Sequence, residues 1–150
     1  GVIGNRNQIP WNSKEELKNF RKITLNSPII FGRKTYDSLN KQLDKRLNIV
    51  ISSNSDQFQS DKNLLGFSSL RNAYLYLRKN NYEKVYICGG SSIYRNSIKH
   101  AEEMMISFMK FEKAGDSKFP RINTNIWEID YEEEFCDFVF RNYIRRKKNV

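Results

Sequence analysis

Residues 28–39 read PIIFGRKTYDSL, and the fold turns on how that stretch divides. Ile29, Ile30 and Phe31 form a short apolar run with no polar alternation, as suits a strand buried on both faces. Gly32 closes the run. The RKTYDSL that follows is long enough for two helical turns, so a buried strand passes through one glycine directly into a helix. That junction leaves backbone N–H groups, Arg33, Lys34 and the Thr35 hydroxyl side by side, an arrangement suited to an anion. An ordinary tight turn reads the same locally, and neither the Walker pattern nor GxGxxG is matched.

The neighbouring segments repeat the pattern. LNIVIS (residues 47–52) is a second buried strand. SLRNAYLYLRKNN (69–81) places Leu70, Ala73, Leu77 and the tyrosines on a helical face, and KVYICGG (84–90) supplies another strand. In YICGGSSIY (86–94) the strand again runs through glycine, Gly89 and Gly90, into a helical segment that extends over SSIYRNSIKH (91–100). Strand and helix in alternation imply parallel pairing. Two glycine turns at the ends of successive parallel strands mark the sheet edge where open α/β folds bind ligands, and a phosphate-bearing cofactor becomes the leading expectation.

Upstream, SKEELKNFRKITL (13–25) spaces Leu17, Phe20 and Ile23 or Thr24 at helical intervals behind Ser13 as N-cap. Ser13-Lys14-Glu15-Glu16 is also a capping-box pattern, in which Glu16 reaches back to the helix start. Downstream, AEEMMISFMKFE (101–112), NIWEIDYEEEF (125–135) and DFVFRNYIRR (137–146) read as long antiparallel strands closing one edge. The expected fold is thus α/β: a mixed, mainly parallel central sheet flanked by helices, with antiparallel strands at its C-terminal edge.

With 150 residues, 39% of them apolar, the chain has the size of one domain. No run approaches the roughly 18 apolar residues of a membrane span, and the first residues given show no basic, apolar, small-residue pattern to suggest a signal peptide, so a cytoplasmic protein without membrane contact is expected. Cys88 and Cys136 lack metal-type spacing and read as reduced thiols. A single histidine, His100, leaves little scope for a histidine-based metal or triad site, and no metal is expected. The charge of +9 would suit nucleic acid or small polyanions. The aromatics, however, sit within apolar runs rather than interleaved with lysine, and much of the excess lies in the terminal YIRRKKNV, so no nucleic-acid partner is expected.

In order and spacing, GVIGNRNQIPW (1–11), EELKNFRKIT (15–24), PIIFGRKTYDSL (28–39), RLNIVISS (46–53), VYICGGSSIY (85–94) and AGDSKFP (114–120) together resemble dihydrofolate reductase over essentially the whole chain. The resemblance implies reduction of 7,8-dihydrofolate to tetrahydrofolate with NADPH, hydride passing to pterin C6 and a proton to N5. It also implies a monomer that binds dihydrofolate and antifolate-type small molecules. Residues 1–12 resemble the loop that closes over substrate and nicotinamide, and in the family that loop follows a central strand. Residues 1–150 are therefore expected to form a single such domain, incomplete at its N-terminus. Two alternatives stand beside this: a riboflavin-biosynthesis-type pyrimidine reductase, against which Glu16 with Pro10-Trp11 argues, and a noncatalytic folate-binding remnant.

Carried over residue by residue, the resemblance makes Glu16 the acid that accepts two hydrogen bonds from the pterin's N3 and 2-amino group. Ser107 stands where the family usually has threonine to bond that acid, and Trp11 holds an ordered water nearby. Ile9, Leu17, Phe20, Leu39 and Leu43 enclose the pterin and aminobenzoyl groups, though core packing would use the same residue types. Arg46 matches the arginine that grips the glutamate α-carboxylate, for which a planar fork is suited. Cys88, replacing a commonly aliphatic residue, and Tyr94 line the pocket near the nicotinamide. For the cofactor, Arg33, Lys34 and Thr35 match the phosphate-binding turn, and Ser52 and Ser53 lie near the adenosine 2′-phosphate. Gly89 and Gly90 match a cis Gly-Gly pair, Ser91, Ser92 and Ile93 follow the pyrophosphate, and Ile3 and Gly4 belong to the same site.

Overall fold

The computed structural model describes residues 2–4, 13–39, 41–59, 61–110 and 117–147. Strand β1 (Val2–Gly4) precedes helix α1 (Lys14–Thr24), which starts where the Ser13 hydroxyl accepts the Glu16 N–H at 3.2 Å. Strand β2 (Ile29–Gly32) then leads without an intervening loop into α2 (Arg33–Leu39). Next come β3 (Asn48–Ile51), a 3-10 turn (Ser55–Phe58), β4 (Leu64–Phe67) and α3 (Leu70–Lys79), the last capped by Ser69. Strand β5 (Tyr86–Ile87) passes through the second glycine turn into α4 (Ser91–Ser97) and a 3-10 turn (Ile98–His100). The chain finishes with β6 (Glu103–Met109), β7 (Ser117–Lys118), β8 (Trp127–Glu134) and β9 (Phe138–Arg145).

Four strands form a parallel sheet in the order β4-β3-β2-β5, three form an antiparallel sheet in the order β6-β9-β8, and β1 pairs with β7. The expected parallel and antiparallel segments are all present. Strand β4 was not anticipated, because LLGF is short, has no β-branched residue and contains a glycine. That glycine has a steric reason: a Cβ on Gly66 would fall on the Ser55 carbonyl of the adjacent 3-10 turn.

Burial follows from the unbroken apolar runs. Ile29, Ile30, Ile49 and Val50 are wholly buried at the centre of the parallel sheet, each contributing about 1.5–3 kcal/mol by leaving water. On one face Ile30 and Ile49 pack with Ala73, Leu77 and Ile93 from α3 and α4; on the other Val50 meets Phe58 and Leu64. The antiparallel sheet has its own cluster around Met104, Trp127 and Tyr143, against which Ile98 and Ala101 pack. Arg145 fastens β9 to the end of α4: its guanidinium donates to the carbonyls of Ile98, Lys99 and Ala101 at 3.1, 2.8 and 2.8 Å, and lies 4.6 Å from the Trp127 ring centroid.

Strand β5 is bonded through β2 and β6 through β9. Among the described residues no strand pairs with the other edge of either, and both border one cleft. Backbone groups on such edges are stabilised by an added strand. Joining an upstream extended apolar segment of about 12 residues, enough for one strand and its connection, should raise the melting temperature; an unchanged melting curve would show that these edges need no partner.

Candidate active site

The two glycine turns meet. Gly32 N–H donates to the Gly89 carbonyl at 2.7 Å, joining the carboxyl ends of β2 and β5. The Gly89–Gly90 peptide is cis and Gly89 has φ +117°, a backbone conformation that side chains disfavour. A Cβ on Gly90 would lie 2.9 Å from Thr35 Oγ1, and one on Gly32 would lie 3.2 Å from Ile93 Cγ1. Close approach thus requires glycine at both turns, against which the side chains of Thr35, Ile93 and Tyr94 pack. Around these turns Arg33 and Lys34 are exposed, Arg33 Nε pairing with Asp37 at 3.4 Å. Ser52 is buried and its hydroxyl accepts Asn54 N–H at 3.1 Å, while Ser53 is exposed. These hydroxyls and cations are a donor set suited to phosphate.

From these turns a cleft of about 2490 Å³ continues between α1, β5 and β6. Glu16 stands on α1 and Ser107 on β6, and the Ser107 hydroxyl bonds the Glu16 carboxyl. Burial outweighs that bond and raises the Glu16 pKa above its ordinary 4.5. Ser13 caps the helix by accepting the Glu16 backbone N–H, while the Glu16 carboxyl is directed to Ser107 and not back to the helix start, so only the Ser13 half of the capping-box pattern is used. Tyr94 and Cys88 lie close enough to be coupled electrostatically, Glu16 acting on Tyr94 as well. Burial pushes the Cys88 thiol up to about 12 and the Tyr94 hydroxyl higher still, so both stay neutral near pH 7. Leu17, 53% exposed, Phe20, Leu39 and Leu43 supply apolar walls.

Glu16, Ser107, the four apolar wall residues, Cys88 and Tyr94 all border this one cleft, together with Arg33, Lys34, Thr35, Ser52, Ser53 and the run from Gly89 to Ile93. Ile93 also belongs to the core. Arg46 does not line the cleft: it is only 6% exposed, its guanidinium 5.9 Å from the Phe20 ring centroid and bonded to Thr24 Oγ1 at 3.0 Å. Ile9 and Trp11 lie outside the described residues, as do residue 1 and the whole of 5–12 in the loop expected to close over the ligands; Ile3 and Gly4 fall in β1. Sequence reasoning gave no role to Phe119, whose ring packs against Tyr94 at 4.8 Å, or to Phe31 in the cleft wall. A phenylalanine isolated among polar neighbours was the available signal for Phe119. Among the described residues no cluster of metal-binding side chains occurs, and no helix is long and apolar enough to cross a membrane.

Comparison with known proteins places this geometry. The profile of the family described as dihydrofolate reductase matches residues 1–145. Dihydrofolate reductase of Haemophilus influenzae is 32% identical over 132 residues, covering 88% of this chain and 79% of that protein. The Mycoplasma genitalium dihydrofolate reductase is 32% identical over 153 residues, covering 99% and 92% respectively. Among solved structures, dihydrofolate reductase from Enterococcus faecalis complexed with NADP(H) and RAB-propyl superposes with a TM-score of 0.84 at 26% identity, over 98% of this chain and 90% of that one. Matched by one family in sequence and in fold over nearly its whole length, the chain belongs to the dihydrofolate reductases, a family of oxidoreductases.

Proposed function

We propose that the chain reduces 7,8-dihydrofolate to 5,6,7,8-tetrahydrofolate with NADPH, consuming one proton, and that the single observation carrying this reading is the half-buried Glu16 carboxyl held by Ser107 in the cleft. Two carboxylate oxygens accept parallel hydrogen bonds from two adjacent donors, and the N3–H and 2-amino group of the pterin present such a pair. The Ser107 hydroxyl beside the carboxyl favours its charged, doubly accepting form. Leu17, Phe20 and Leu43 enclose the remaining rings and exclude water, which strengthens each bond made inside.

NADPH, when bound, supplies the hydride that passes from nicotinamide C4 to pterin C6. The residues fitted to hold it are Gly89 to Ile93 along the pyrophosphate and Arg33, Lys34, Thr35, Ser52 and Ser53 toward its phosphates. Glycine at 90 and 32 lets the two turns and Thr35 pack together, which brings the backbone of residues 89–93 beside Arg33, Lys34 and Thr35. Tyr94 and Cys88, kept neutral, wall the hydride path without competing for the proton. Glu16 holds and polarises the pterin while a solvent proton reaches N5, and Trp11 is assigned the water that carries it.

The direct test is dihydrofolate-dependent NADPH oxidation. Glu16→Gln keeps size and loses charge, so turnover should fall by about 10²-fold or more while the domain stays folded; unchanged kinetics would show that the Glu16 carboxylate takes no part in the reaction. For the cofactor, Arg33→Ala should weaken NADPH by roughly tenfold and NADH little. Equal weakening of both would show that Arg33 does not read the 2′-phosphate.

The pH dependence follows from the raised pKa of Glu16. A folded-state value above the unfolded one favours the protonated folded protein, so this group stabilises fully below the unfolded value of about 4.5 and the contribution is lost as pH rises through the folded value. Glu16→Gln should therefore melt at or above the wild-type temperature at pH 7, with the difference shrinking toward pH 4. Calorimetry at the two pH values checks this; a variant destabilised more at pH 7 than at pH 4 would contradict it.

A further inference from the structure

Strand β9 carries a buried polar atom that the reaction described above does not use. Among the described residues Asn142 Oδ1 is enclosed by the protein and accepts no hydrogen bond. An acceptor buried without a donor opposes folding, and an apolar side chain of similar shape would not. The register of β6 and β9 sets Asn142 opposite Met105 and Phe140 opposite Ser107, so by the two-residue period of a strand these four share one face of the antiparallel sheet. It is the face on which Ser107 meets Glu16 of α1.

Two contacts give the direction of α1 over that face. Ser13 Oγ donates to Asp137 Oδ2 at 3.3 Å, just ahead of β9, and Glu16 meets Ser107, which stands opposite Phe140. Helix and strand therefore advance together, and the next turn of α1 carries Asn19 toward Asn142. Arg21 and Thr24 reach Asp44 and Arg46 on the side of the parallel sheet. At about 100° per residue Asn19 falls on the opposite flank of Glu16, the flank toward β9. Asn19 is half-buried and borders the cleft with Glu16, Met105 and Phe140. Little apolar packing fixes this helix: Thr24 is its one buried residue, and among the described residues no α1 side chain joins a core cluster.

We infer that Asn142 is a positioning residue that latches α1 as substrate binds: the helix settles onto the antiparallel sheet, Asn19 Nδ2 donates to Asn142 Oδ1, and Glu16, one turn away on the same helix, is held at the pterin. This rests on the dihydrofolate reading above and adds to it a pair that acts through Glu16. The acceptor gains its donor only as the helix closes, so the bond strengthens substrate binding without adding to the stability of the free fold.

The test is a double-mutant cycle on Asn19→Ala, Asn142→Val and the two combined, reading dihydrofolate affinity, NADPH affinity and the melting temperature without ligand. Valine suits a strand and alanine a helix, so neither change works against its element. Each single variant should weaken dihydrofolate by about fivefold, and the double variant no more than either alone. NADPH should bind as in the wild type, and Asn142→Val should melt at or above the wild-type temperature. Losses that multiply in the double variant would show that the two amides do not pair and would overturn the proposal, as would undiminished dihydrofolate binding by either single variant. A lowered melting temperature with equal weakening of both ligands would make Asn142 merely structural and overturn it too. Should Asn142→Val fail to fold, Asn19→Ala decides alone: a loss confined to dihydrofolate supports the latch, and unchanged binding overturns it. A wild-type chain that binds no dihydrofolate would overturn the dihydrofolate reading itself, and this inference with it.

Discussion

One backbone hydrogen bond, from Gly32 N–H to the Gly89 carbonyl at 2.7 Å, fixes the geometry on which the site depends. It can form only because β2 and β5 are adjacent parallel strands ending at the same edge, and because neither turn carries a side chain where the two approach. From it follow the place of Thr35 beside Gly90, of Ile93 under Gly32 and of Tyr94 beside Gly89. The buried isoleucines of β2 and β3 pack directly beneath this edge, so the core and the glycine turns are built together.

Across the cleft the organising contact is between side chains. The parallel and antiparallel sheets share no ladder bond among the described residues, yet Glu16 of α1 reaches Ser107 of β6. Placing a carboxyl there opposes stability, since burial disfavours its charge and one hydroxyl bond does not compensate. A residue that works against the fold while facing a cleft of apolar walls is a candidate for binding or catalysis. Arg46 presents the complementary case: a cation kept in the interior by Thr24, Asp44 and the Phe20 face.

Most of the architecture was legible because its signals are local. Unbroken apolar runs ending in glycine gave β2 and β5, and helical spacing behind Ser13 and Ser69 gave α1 and α3 with their caps. Strand β4 escaped because its membership is decided by pairing with β3, not by its own composition. The same distinction divides the site. The glycine turns announce themselves by residue type and position, and Glu16, which reads locally as a capping residue, is singled out only by the resemblance, whereas the placement of Arg46 behind Phe20, the contact of Phe119 with Tyr94 and the grip of Asn48 on Leu43 arise from tertiary packing. No pattern within one segment encodes them.

The central claim is that this cleft brings a nicotinamide and a pterin ring together for direct transfer between them. It is tested most directly with NADPH deuterated at nicotinamide C4, by following the label into the product by NMR. The account predicts deuterium at C6 of tetrahydrofolate, from one face of the nicotinamide only and without exchange into solvent. NADPH oxidation that leaves C6 unlabelled by either C4 epimer of the cofactor would contradict it.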